Sequence, residues 1–95
     1  MNADKVDFEK LRELLQKEEY PHEYTFKFIG KNTQAFTSGL HALEGKYKML
    51  VLHGSRESSG GQHLAVTYQM VSQNADEIID VLKAVTKVDD LLVIL

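Results

Sequence analysis

Between Tyr20 and Gly30 the chain reads Tyr-Pro-His-Glu-Tyr-Thr-Phe-Lys-Phe-Ile-Gly, and the rings at Tyr24, Phe26 and Phe28 alternate with Glu23, Thr25 and Lys27. A period of two puts the rings on one face of a β-strand and the polar side chains on the other. The fold must therefore cover one side of a sheet with an apolar layer. Pro21 disfavours helix at Tyr20, and Gly30 punctuates the far end, so each boundary of this strand has a physical cause.

The size of the chain limits what can be built around the strand. Its 95 residues suit a single domain spanning 1–95, which removes roughly 60 to 65% of the unfolded surface from water. Cysteine is absent, which rules out disulfides and thiolate metal sites and favours a reducing compartment, with the cytoplasm expected. No apolar run approaches the ~20 residues of a membrane span, so a soluble, unprocessed chain with no membrane partner is expected. The net charge of −3 opposes nonspecific attraction to phosphate backbones and disfavours nucleic acid as a partner.

Before the strand, Phe8, Leu11, Leu14 and Leu15 recur at helical spacing, with Asp4 or Asp7 as the cap, which predicts an amphipathic helix over 7–19 within an N-terminal extension, residues 1–19. After the strand, Asn32 and Thr33 are suitable N-caps. Phe36, Leu40 and Leu43 then predict a second helix ending near Gly45. Gly39 inside it implies either close packing against the sheet or a need for mobility, with packing favoured. Lys46–His53 and Gln62–Ser72 read as strands joined by a long loop, Gly-Ser-Arg-Glu-Ser-Ser-Gly-Gly. In the later strand Leu64, Val66, Tyr68 and Met70 form the core set. Asn74 with Glu77 resembles a capping box opening a third helix with the stripe Ile78, Val81, Leu82 and Val85. Asp89-Asp90 turns into the apolar ending Leu-Leu-Val-Ile-Leu, a strand expected to be covered at least partly on both faces.

The order after the first helix is β-α-β-β-α-β. This is an α+β, ferredoxin-like βαββαβ sandwich with an additional N-terminal helix, both later helices on one face of a four-stranded antiparallel sheet. The first and third strands are central. The second is an edge, guarded by Lys46 and Lys48.

Three stretches together resemble the YbeD-like family of small bacterial proteins of unknown function. They are Leu14-Leu15 leading through Tyr20-Pro21 to Phe28-Ile29-Gly30, then Ser58-Ser59-Gly60-Gly61, and finally Val88 to Leu95. The resemblance runs from about Phe8 to Leu95. It implies a ferredoxin-like fold similar to the ACT domains that sense small molecules, and it brings no catalytic residues. The chain departs from the pattern at His63, where a tyrosine is expected, and at Ala65, where a serine is expected.

Two stretches are candidates for ligand binding. His53, Arg56, Ser58, Ser59 and His63 flank or lie in the hairpin loop, whose freed amides suit an anion or small polar ligand, although a mobile hairpin loop is the simpler reading. Gly30, Lys31, Asn32 and Thr33 feed a helix N-terminus that can receive a carboxylate or phosphate. His53 and His63 are placed to face one another across the hairpin, but without a third ligand they make a poor metal site. No cofactor is implied, and His22 and His41 are expected at surface or boundary positions. Ser58 and Ser59 lack a nucleophile motif.

With no catalytic constellation, the expected function is a non-enzymatic regulatory or adaptor module, with small-molecule sensing as its specific form. The alternative is a protein-interaction module acting through the sheet face or edge. RNA binding is less favoured, because the rings of the first strand have core parity and leave no stacking platform. Apolar residues of both parities in the second and last strands point to weak self-association, or to an open face covered by the N-terminal helix.

Overall fold

The computed structural model describes residues 1–95. Asp7 opens the first helix, α1 (Phe8–Leu15), its carboxylate accepting the Lys10 amide at 3.1 Å. The helix ends with its last apolar residue, four residues short of the expected end at Glu19. The Lys17 and Glu18 amides bond back to Leu14 and Leu15, and the Tyr20 hydroxyl donates to the Leu15 carbonyl at 2.7 Å, satisfying groups that a longer helix would use.

The organising strand is β1 (His22–Lys31), with Phe26 and Phe28 fully buried and Thr25 and Lys27 exposed, as the alternation requires. Thr33 caps α2 (Gln34–Lys46) by accepting the Phe36 amide at 3.2 Å. Inside that helix, a Cβ on Gly39 would stand 2.5 Å from Val88 Cγ1, so the glycine permits a close approach. β2 (Val51–Glu57) pairs with β3 (His63–Ser72), and Asn74 then caps α3 (Ala75–Val85) by accepting the Glu77 amide at 3.0 Å. Glu77 returns a carboxylate to the Gln73 amide, one residue before the cap, a variant of the expected capping box. The chain ends on β4 (Leu91–Ile94).

The sheet is antiparallel in the order β2-β3-β1-β4, so β1 and β3 are central and β2 is an edge. Leu64, Val66, Tyr68 and Met70 join the rings of β1 against Phe36, Leu40, Ile78, Val81, Leu82 and Val85 in one core.

The structure corrects two strand-level expectations. β2 begins at Val51 rather than Lys46, and it continues through Gly54 to Glu57. Lys46 completes α2, its ammonium over the Tyr47 ring, and the Leu50 amide closes a turn onto the Tyr47 carbonyl. Gly54 adopts φ 155 at a register shift between Leu52 and Gly54, a bulge that carries the strand through a residue expected to stop it. That bulge, not Lys46 and Lys48, disrupts the regular edge. The last strand is only partly covered on its second face, where Val93 is half-buried and Leu95 exposed, whereas Ile94 on the core face is buried. Residues at the start of the chain bond its outer edge: the Ile94 amide donates to Met1, and the Ala3 amide to Leu92.

The N-terminal helix lies in the helical layer. α1 packs against α3, with Arg12 3.2 Å from Asp76 and the Lys83 ammonium 5.7 Å from the centre of the Phe8 ring. It does not cover the open face of the sheet.

Candidate functional site

The two candidate stretches meet at one end of the sheet. Lys31 is opposite His63 at the end of the β1–β3 ladder, which brings the turn leaving β1 against the turn entering β3. Asn32 fastens them. Its backbone amide donates to Gln62, and its side-chain Nδ2 donates to Glu57 Oε1 at 3.1 Å and to the Gly61 carbonyl at 3.0 Å. The turn 58–62 is closed from within by Ser58 amide to His63 carbonyl at 2.9 Å and Gly61 amide to Ser58 carbonyl at 2.8 Å. Gly61 supplies the left-handed conformation there, φ 72.

At the start of α2 the chain presents its own carboxylate. The Thr33 hydroxyl donates to Asp90 Oδ2 at 2.7 Å while accepting the Phe36 amide, and the Lys31 amide bonds the Asp90 carbonyl at 2.9 Å. Gly30 is held tightly here, since a Cβ would come within 2.7 Å of both the Asp90 carbonyl oxygen and the Phe36 ring. An anion arriving at this helix start would meet an existing negative charge. Of this stretch, Lys31 alone offers an exposed side chain on the open face.

Arg56, Ser58, Ser59 and His63 converge with Ile29, Glu57 and Ala65 around a shallow basin of about 460 Å3. His53 is elsewhere. It occupies the bulge between the Leu52–Tyr68 and Gly54–Thr67 pairs, and lines a second depression of about 390 Å3 with Glu23, Met49, Val51, Gln69 and Val71. Four to five residues of β3 separate its level from His63, on the order of 15 Å at ~3.3 Å per residue. The histidines therefore do not face one another, contrary to the expectation from the hairpin. No group of three metal-ligating side chains comes together in the chain. His41 is exposed beside Glu44, and half-buried His22 sits near the Tyr20 and Tyr24 rings.

Register bears out the open face that strand parity predicts for β1 and β3, and it assigns β2 and β4, whose apolar residues of both parities left their facing unresolved. Glu23, Thr25, Lys27, Ile29 and Lys31 of β1 lie opposite Val71, Gln69, Thr67, Ala65 and His63 of β3. Val51 and Arg56 extend this face on β2, and Val93 extends it on β4. Val51 is 56% exposed and Val71 47%, so apolar side chains stand in solvent with no layer above them.

A family model described as a protein of unknown function (DUF493) matches residues 16–95. The chain belongs to the DUF493 family. The sequence resemblance to YbeD-like proteins is to this same family. UPF0250 proteins of Haemophilus influenzae strains PittEE and Rd are each 30% identical to it over 84 residues, covering 87% of this chain and 88% of theirs. The solution structure of protein HP0495 from H. pylori superposes with a TM-score of 0.68 at 20% identity, covering 83% of this chain and 86% of that one. The fold of this chain is thus the ferredoxin-like sandwich expected from the element order. The family description carries no activity, and no helix of this member is long and apolar enough to cross a membrane.

Proposed function

We propose that the protein is a non-enzymatic regulatory or adaptor module of the cytoplasm that holds a partner protein on the uncovered face of its sheet. The observation that carries this reading is the exposure of Val51 and Val71 on a face that α1, packed on α3, leaves open. Exposed apolar side chains grouped on one face are a common mark of an interaction surface. Two further features support it. Ser58 Oγ accepts the backbone amide of His63 at 3.1 Å, so it is engaged with the main chain rather than with an imidazole base. Tyr24, Phe26 and Phe28 turn toward the helices, which leaves RNA no stacking platform.

Affinity capture from the native lysate tests the reading when wild type is compared with Val51→Glu/Val71→Glu and with a helix-side control, Glu13→Lys. A protein retained by wild type and the control but lost from the double variant supports it. Retention that ignores the open face refutes it.

The basin favours a second reading, a small polar ligand held by Arg56, Ser58, Ser59 and His63. Calorimetric titration with amino acids and cytoplasmic metabolites tests it, with NMR shifts at these residues expected. Absence of both signals removes this reading.

A further inference from the structure

The fold sorts its charges by face. Among residues whose strand register places them on the open side, Lys27, Lys31 and Arg56 are three of the eleven basic residues, whereas Glu23 is one of the fourteen acidic ones. A chain of net charge −3 therefore carries a basic sheet face, and its excess of acid lies elsewhere. The three cations gather at the hairpin end, around Ile29, Ala65 and Thr67. Lys27 and Lys31 are four residues apart on β1, roughly 13 Å, and Arg56 is two strands across, roughly 10 Å. These spacings are comparable with a Debye length of about 8 to 10 Å, so the fields of the cations overlap.

None of the three is in an ion pair. The chain's pairs are Arg12–Asp76 and His41–Glu44, both on the helical side. Glu57 lines the basin beside Arg56, but its Oε1 accepts from the Asn32 side-chain amide and it makes no ion pair, so the hairpin end still carries three cations to one carboxylate. A cluster of unpaired cations around apolar residues repels itself and is complementary to carboxylates alternating with apolar side chains.

Resting on the reading of the open face as a docking surface, we propose that its partner is an acidic, partly apolar protein segment. Its carboxylates engage Lys27, Lys31 and Arg56, and its apolar side chains rest on Ile29, Ala65 and Val51. A second copy fits poorly, because a two-fold stack through this face brings two net-basic surfaces together. Nucleic acid lacks rings to stack on.

The test is an NMR titration of the full-length protein with two synthetic peptides that share their apolar positions and differ in carrying glutamate or lysine between them. Citrate and a single-stranded oligonucleotide are run alongside. The glutamate peptide is expected to shift the amides of Lys27 to Lys31, Arg56 and His63 to Thr67, and the lysine peptide to leave them in place. Lys27→Glu/Arg56→Glu should weaken glutamate-peptide binding about tenfold or more, and raising salt from ~0.05 to ~0.3 M should weaken it severalfold. A milder Lys27→Gln variant, with wild-type dispersion of the spectrum, should give a smaller loss in the same direction. Equal binding of both peptides on this face overturns the acidic partner while leaving the docking face intact. Shifts confined to the helices, or no binding by either peptide, overturn the proposal. So do full shifts with citrate at the same concentration, and tighter binding of the oligonucleotide.

Discussion

Replacing Gly30 by alanine tests how tightly the end of β1 is built. The added Cβ would stand 2.7 Å from the Asp90 carbonyl oxygen and from two carbons of the Phe36 ring. Neither neighbour has room to withdraw. The carbonyl is tied to the Lys31 amide at 2.9 Å, and Phe36 is fully buried. Overpacking of this kind costs about 1 to 3 kcal/mol, and weakening the Lys31–Asp90 bond adds about 1 kcal/mol, so Gly30→Ala should lose about 2 to 4 kcal/mol. Gly45 is the control, with nothing within 4 Å of its virtual Cβ. Alanine there should stabilise α2 by up to about 1 kcal/mol, less if the helix end frays. Gly39→Ala lies between, because the same helical gain opposes the approach of Val88 Cγ1 at 2.5 Å, and a Val88→Ala background should make it more favourable. Urea denaturation followed by circular dichroism, at unchanged m-value, measures all three. A loss below about 0.5 kcal/mol for Gly30→Ala, or an equal loss at Gly45, would refute the packing argument.

Other substitutions test different parts of the fold. Phe26→Ala should cost about 3 to 5 kcal/mol, because the ring is completely buried, whereas exposed Thr25→Ala should be nearly silent; a reversed ranking in denaturant would mean the strand is turned over. Ser72 is fully buried with no partner for its hydroxyl, so Ser72→Ala should be neutral or stabilising by about 1 kcal/mol, and a clear loss of melting temperature would contradict this. Burial pushes the Tyr68 phenol up, aided by its 2.8 Å hydrogen bond to Glu44. The folded state then holds this proton above the ordinary value of about 10, so its contribution is complete below that pH and is lost as pH rises above it. The urea midpoint of wild type should fall more steeply there than that of Tyr68→Phe, and parallel curves would refute the assignment. Asn32→Ala should accelerate amide exchange in residues 58–62, and unchanged protection would show that the clasp is not what orders the turn.

The legible parts of the fold are those with a strong period or a local cap. The alternation of Tyr24, Phe26 and Phe28 fixed the buried side of β1, and Thr33 and Asn74 marked two helix starts through hydrogen bonds within a few residues. β2 was misplaced because an edge strand with all seven residues exposed needs no alternation, and because Gly54 continues it through a bulge. Tyr47–Leu50 carries strand-like residues, but the end of α2 and the turn onto the Tyr47 carbonyl claim them. The Asn32 clasp joins residues 25 and 29 positions apart, and the chain start pairs with β4 through backbone groups, so neither leaves a local pattern. The candidate residues were named in sequence, yet their separation into a basin with Arg56 and His63 and a distant depression with His53 required the register. The basic character of the open face required it too.

Site-specific photo-crosslinking in the cells that make the protein tests the docking surface most directly. A photoreactive phenylalanine analogue at Thr67, in the middle of the open face, is compared with one at Asp80 on α3. The predicted result is an adduct of this chain with a different protein from Thr67 and none of that mass from Asp80. An adduct from Asp80 alone, no adduct from Thr67, or a Thr67 adduct of twice the chain's mass would contradict it.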